Sequence, residues 1–215
     1  MKPIKDSRIN RRVFLAMSCG FVINVAFGDS QDSHKSRVDS LKNAIIVYYS
    51  RTLNTHILAK YLQSLIGGDL VRIQTAENYP ANYQRLVELS AQQSADGIFP
   101  PLQPYALDLR GYDNIFIATP LWNGDICPPI KSLLRGANLG DKAISLIITS
   151  AGFGLGVSVD SAKKLVKIGS ILDYEFSEYE KILPNLRVLN ESKIAQNKAY
   201  DALDKDKIAN FLTRI

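Results

Sequence analysis

Soft metal ligands are scarce in this 215-residue sequence, which holds two cysteines, Cys19 and Cys127, and two histidines, His34 and His56. That set excludes a disulfide framework and is too small for a zinc or haem centre. No apolar run reaches the ~20 residues that a membrane-spanning helix needs. With 13 Gly, 9 Pro and neither a low-complexity tract nor a fixed-period repeat, the chain is not collagen-like, not a solenoid and not largely disordered. What is present, 46% hydrophobic and 22% charged residues, is the makeup of one ordinary globular domain with a short appendage.

The net charge of +5 is concentrated at the start of the chain. Residues 1–28 carry Lys2, Lys5, Arg8, Arg11 and Arg12 against Asp6, which leaves 21 basic and 20 acidic residues elsewhere. The remainder is nearly neutral, so the composition gives no support to a nucleic-acid partner. After the basic stretch, residues 13–28 are uncharged and mostly apolar and end in Ala26, Phe27 and Gly28. This is the layout of an export signal with a small-residue cleavage site. Asn10, Arg11, Arg12, Val13, Phe14 and Leu15 resemble a twin-arginine signal, with an ordinary secretory leader as the alternative. Lipid attachment at Cys19 has a poor acylation box in Ala16, Met17 and Ser18. The sequence thus predicts an exported or periplasmic protein, with a leader over 1–28, a polar spacer over 29–41 containing His34, and one domain over 42–215. The mature form is expected to have no stable membrane span.

Within that domain, strand and helix patterns alternate. Residues 44–49 read Ala, Ile, Ile, Val, Tyr, Tyr, a run suited to a strand buried on both faces of a parallel sheet. Ile57, Leu58, Tyr61, Leu62 and Leu65 then fall on one helical stripe that Gly67 and Gly68 close. Further strands are predicted over 70–73, 114–118 and 143–149, and further helices over 83–94, after Pro128 and Pro129, over 159–167, and around Ile208, Phe211, Leu212 and Ile215. The fifth strand is placed at 186–189, with 171–176 as competitor. Alternation of this kind gives an α/β fold, a doubly wound parallel sheet with helices on both faces, because parallel strands need right-handed crossovers. Ligands of such sheets sit beyond the carboxyl ends of the strands, where the strand order reverses.

Three loops lie at those strand ends. The first, Ser50, Arg51, Thr52, Leu53, Asn54 and Thr55, leads into a helix and offers hydroxyls and backbone N–H groups to a phosphate, although Asn54 or Thr55 also suits a plain helix cap. It is not a P-loop, since no Gly-Lys-Ser/Thr follows. The second, Thr119, Pro120, Leu121, Trp122, Asn123, Gly124 and Asp125, sets the one tryptophan on a turn where it can face a flat ring. The third, Ser150, Ala151, Gly152, Phe153, Gly154, Leu155 and Gly156, lets backbone approach a ligand closely. Val157 breaks the dinucleotide fingerprint, which argues against a Rossmann NAD site.

In this order and at these positions, the loops resemble those of the flavodoxin-like FMN-binding family. Residues 48–55 are similar to its phosphate motif (hydroxyl, x, Thr, Gly, Asn, Thr), and 113–124 and 148–156 to its two ring-contacting loops; Tyr79, Pro80 and Tyr83 match a subfamily of bacterial flavodoxins. The resemblance covers roughly residues 42–215. It implies a five-stranded sheet of order 2-1-3-4-5 and FMN as cofactor. It also implies phosphate contacts from Ser50, Thr52, Asn54 and Thr55, with Arg51 as an extra donor, and stacking by Trp122 and Phe153. Backbone and side-chain contacts to the ring would come from Pro120, Leu121, Asn123, Gly124, Ser150, Ala151, Gly152 and Gly154. Leu53 stands where the family has Gly; if that position needs positive φ, the Leu is strained by ~1 kcal/mol and could crowd the phosphate. Phe153 replaces a small residue and either stacks on the flavin or plugs its place. Asp125 is read either as a charge beside the ring or as a turn residue, His56 as an exposed helix residue and Cys127 as a small packed one.

Three functions follow from the resemblance. The first is an exported FMN protein that carries electrons between redox partner proteins. The second is an FMN-dependent NAD(P)H reductase of quinone-type small-molecule acceptors. The third is a flavodoxin-fold protein that has lost FMN.

Overall fold

A computed structural model describes residues 41, 43–104, 107–176 and 193–215. The predicted leader and spacer, apart from Leu41, and the predicted strand at 186–189 lie outside these residues. The strands are β1 (Ala44–Tyr48), β2 (Asp69–Arg72), β3 (Asn114–Trp122), β4 (Asp125–Ile126), β5 (Ile144–Ser150) and β6 (Ile168–Glu175). The helices are α1 (Asn54–Ile66), α2 (Tyr83–Ala95), α3 (Pro128–Gly136), α4 (Ser158–Lys163), α5 (Lys193–Asp201) and α6 (Lys205–Leu212), with one 3-10 turn at Leu109–Gly111.

Five parallel strands run in the order β2-β1-β3-β5-β6, which is the expected 2-1-3-4-5, and a sixth, β4, pairs antiparallel with the end of β3. The fifth parallel strand is Ile168–Glu175, so the choice of 186–189 gives way to a strand built around its competitor. β6 is an edge strand of mixed burial, which explains its weaker sequence signal. The fourth predicted helix is also shorter than expected, Ser158–Lys163.

Period-two alternation divides the strand side chains between two cores. Ile46, Tyr48, Phe116, Ala118 and Ile147 point to one face and pack with α1, α5 and α6 through Ile57, Leu58, Leu62, Ile208 and Phe211. Ile45, Val47, Ile115, Ile117, Leu146 and Ile148 point to the other and pack with α3 and α4 through Ile130, Leu133 and Ala162. Both faces being covered, β1, β3 and β5 are apolar almost throughout. No helix among the described residues is long and apolar enough to cross a membrane. Among those residues no group of three or more His, Cys, Asp or Glu side chains could hold a metal ion.

Candidate functional site

The strand order reverses between β1 and β3, and the cleft of interest opens there, at the carboxyl ends of β1, β3 and β5. It has a volume of about 250 Å³. Of the residues singled out in the sequence, Arg51, Thr52, Asn54, Thr55, Pro120, Leu121, Trp122, Asn123, Ser150, Ala151 and Phe153 line it. Ser50 lines a neighbouring cavity instead, and Gly124, Gly152 and Gly154 do not line the cleft.

The first loop enters α1 through Leu53, whose φ of 76° is left-handed. The Gly-type conformation foreseen at this position is therefore present, carried by a residue that pays ~1 kcal/mol for it. Crowding does not follow: Leu53 is not a lining residue, and its side chain packs on the α1 core. No acidic residue lies in the first turn of α1, so the positive end of the helix dipole meets no local anion. Thr55 Oγ1 shares a buried hydrogen bond of 2.8 Å with Thr149 Oγ1. Asn54 Oδ1 and Ser150 Oγ are buried in the cleft wall without a hydrogen-bond partner. Such atoms are expensive inside a protein unless a ligand or water completes them.

The second loop is a tight hairpin, so β3 runs four residues past its predicted end. Leu121 pairs with Ile126 and Trp122 with Asp125. Asn123 and Gly124, with φ of 52° and 74°, make a two-residue turn with both φ positive, the kind that suits strand twist. Trp122 is half-buried, and its ring meets Tyr79 edge-on at 4.9 Å and Tyr49 edge-on at 5.6 Å. The indole is thereby held in one orientation. Burial pushes the Tyr49 hydroxyl up to about 12, with Cys127 adding to the rise and Arg72 and Arg51 opposing it.

The third loop is fastened to the second. Val157 N donates to Gly124 O at 2.8 Å, and a Cβ on Gly156 would lie 1.9 Å from that oxygen. A glycine is required there by contact as well as by its φ of 51°. Phe153 is 80% exposed at the cleft wall, so it does not plug the hollow.

Three further readings are settled by side-chain contacts. Asp125 is buried in an ion pair of 2.7 Å with Lys131 and accepts from Ser161 Oγ and Ile126 N, so it acts as a fastener of β4, α3 and α4. His56 is buried, contrary to the exposed helix position expected, because α1 is enclosed on all sides from Thr55 to Ala59; its Nδ1 is 2.5 Å from Tyr48 Oη. Cys127 is buried and free, and burial raises its thiol to about 12, which fits a packed and unreactive residue.

One wall was not foreseen. Tyr83, Leu86, Val87 and Ser90 of α2 line the cleft, and Asn123 Nδ2 donates to Ser90 Oγ at 2.7 Å. Arg51 Nη2 donates to Ala81 O at 2.8 Å, which ties the first loop to the segment leading into α2. Phe176, just past β6, also lines the cleft, and its N–H donates to Ser150 O. Leu86, Val87 and Ser90 have the 3-and-4 spacing of an ordinary core stripe, while Tyr83 is exposed, so a sequence signal existed for the helix face but not for what it covers.

No protein-family model and no curated protein matches the sequence. Solved structures do. A flavoprotein from Lactobacillus acidophilus NCFM, crystallised in complex with FMN, is 25% identical with a TM-score of 0.56, over 65% of this chain and 97% of its own. A provisionally named flavoprotein from Bacteroides eggerthii is 24% identical with a TM-score of 0.57, over 65% of this chain and 91% of its own. Another from Bacteroides uniformis is 21% identical with a TM-score of 0.55, over 65% and 95%.

Proposed function

The chain is a flavodoxin-like α/β protein, and from that premise we propose that it binds FMN in the cleft beyond β1, β3 and β5 and transfers electrons to a redox partner. The observation that carries this reading is the pair of buried polar atoms, Asn54 Oδ1 and Ser150 Oγ, that have no partner inside the cleft. A ligand rich in hydroxyl groups and N–H donors satisfies both. The residues present fit the rest of FMN as well. The start of α1, with Thr52 and Thr55 beside it and no carboxylate in its first turn, suits a phosphate. Trp122, braced by two tyrosines, supplies a rigid aromatic surface for a planar ring.

FMN would supply reversible electron and hydride chemistry. The chain's own residues would do the remaining work. Asn54 and Ser150 fix the orientation of the bound molecule, the α2 wall and Phe176 exclude water from one side, and the exposed Phe153 and Tyr83 flank the opening, 80% and 70% accessible, where a partner protein can approach.

The test is titration of the purified protein with FMN, followed by flavin fluorescence and the visible absorption spectrum. A saturable 1:1 signal is expected, weakened by Asn54→Ala and Ser150→Ala; absence of saturation defeats the reading. NAD(P)H oxidation coupled to a quinone, measured on FMN-loaded protein, separates a reductase from a carrier. We also propose export through the twin-arginine route, on the strength of Arg11 and Arg12 ahead of the apolar run. Substituting both by Lys is expected to retain the protein in the cytoplasm, as cell fractionation would report.

A further inference from the structure

Trp122 lines the cleft, whereas the two tyrosines packed against it, Tyr49 and Tyr79, do not. Tyr79 lies in the segment that leads into α2, and its hydroxyl donates to Gln93 Oε1 on that helix at 2.6 Å. We propose that Tyr79 and Gln93 are positioning residues of the cleft: Gln93 fixes Tyr79, and Tyr79 fixes the plane of the indole against which a flat ligand rests.

The ring geometry leaves Trp122 little freedom. Its plane stands at 78° to that of Tyr79 with centroids 4.9 Å apart, and at 88° to that of Tyr49 at 5.6 Å, while the two tyrosines meet each other at 68° and 6.4 Å. Edge-to-face pairs of this kind are favoured by the ring quadrupoles, so turning the indole costs contact with both neighbours. Such a cluster is only as rigid as its least fixed member. Tyr49 is anchored by the sheet: it follows β1 directly, is buried, and its N–H donates to Ala118 O at 3.1 Å. Tyr79 has no strand beneath it and is only partly buried, so the bond to Gln93 is what holds its ring. Pro80 assists by confining the Tyr79 backbone to extended conformations. Burial, with Cys127 and Tyr49 adding to it, pushes the Tyr79 hydroxyl well above the usual tyrosine value, so it stays protonated as a donor.

Gln93 lies three residues beyond Ser90, whose Oγ accepts from Asn123 Nδ2 at 2.7 Å, so the two are neighbours on the α2 surface. One stretch of α2 therefore holds Asn123 directly and Trp122 through Tyr79. The cleft wall and the ring surface are set together, and a change in α2 at Gln93 reaches the indole without touching it. Only the last link, from the indole to a bound ring, rests on the FMN reading; the first two belong to the flavin-free chain.

Trp122 is the one tryptophan of the chain and serves as the reporter. Time-resolved anisotropy of its emission is measured on the flavin-free full chain, and FMN affinity by titration, for the parent, Gln93→Leu, Gln93→Glu, Tyr79→Phe and the double variant Tyr79→Phe/Gln93→Leu. Gln93→Leu and Tyr79→Phe are each expected to add a fast local component to the anisotropy decay and to weaken FMN by about threefold to tenfold, the effect of one lost hydrogen bond. Gln93→Glu keeps an acceptor for the Tyr79 hydroxyl and should match the parent in both measurements. The double variant should be no worse than either single one, because both remove the same bond. Unchanged Trp122 anisotropy in the two single variants overturns the proposal, as does an additive loss in the double variant, or a Gln93→Glu protein that behaves like Gln93→Leu. If the parent binds no FMN, the FMN reading fails while the anisotropy series still decides for or against Tyr79 and Gln93.

Discussion

The hairpin β3–β4 and the first turn of α1 stand on the same cleft but are built in opposite ways. Around the hairpin, polar groups are matched within the chain. Asp125 holds Lys131, Ser161 and a backbone N–H, Gly124 O takes Val157 N, and Asn123 reaches Ser90. At the start of α1 and the end of β5, by contrast, Asn54 Oδ1 and Ser150 Oγ are buried and unmatched, and Leu53 is held at a φ of 76°. A fold tolerates such features where a ligand repays them, so the satisfied region reads as frame and the unsatisfied one as seat. The contrast can be broken from either side, and damage to the frame should cost far more.

The largest effect is expected at Gly156. An alanine there sets a Cβ 1.9 Å from Gly124 O on a backbone with positive φ, so the second and third loops must separate. Gly156→Ala should lose about 4 kcal/mol in urea unfolding and also lose FMN binding. Gly154 is the control: its φ is 65° but nothing lies within 4 Å of its Cβ position, so Gly154→Ala should cost only about 1 kcal/mol. Equal losses at the two positions would show that the loops are not locked together.

Next comes the ion pair. Lys131 and Asp125 have side chains only 16% and 11% exposed, so Lys131→Met strands a buried carboxylate. Stability should fall by about 3 kcal/mol, and the loss should persist in high salt, since a buried pair is little screened. A drop below 1 kcal/mol would place Asp125 among exposed charges and return it to the role of a ring-side group.

Much of this frame was legible in the sequence, for identifiable reasons. β1, β3 and β5 are covered on both faces, so their apolar runs are nearly unbroken and their loops could be placed in order. β6 was harder. Gly169, Ser170 and Asp173 interrupt it because an edge strand of mixed burial tolerates polar positions. The hairpin did carry its signal, Asn-Gly between Trp122 and Asp125, but Pro120 two residues before Trp122 disguised the strand that enters it. The partners of His56 and Asp125 were out of reach. Tyr48 meets His56 only after α1 folds back over β1, and Asp125 finds Ser161 from 36 residues away. The α2 wall failed for the same reason: a stripe of Leu86, Val87 and Ser90 specifies an inward face and is silent about which loop it covers.

On the seat side, Ser150→Ala should separate stability from binding. Removing an unmatched buried hydroxyl is expected to leave flavin-free protein unchanged or up to about 1 kcal/mol more stable by thermal unfolding, while FMN affinity falls by about tenfold. A loss of stability equal to the loss of affinity would show that the hydroxyl already has a structural partner.

The smallest change is expected at Leu53, where two contributions oppose each other. Glycine would relieve about 1 kcal/mol of left-handed strain, yet it would also remove a side chain that packs on the α1 core. Leu53→Gly should therefore move stability by less than about 1 kcal/mol in either direction. Asparagine sharpens the reading, because it tolerates positive φ but lacks the apolar contact. If Leu53→Asn is much less stable than Leu53→Gly, a polar side chain is penalised against that core more than backbone strain is relieved. If the two variants are alike and both exceed the parent, strain dominates, and the leucine is kept at this turn for what it does to the seat beside it and not for stability.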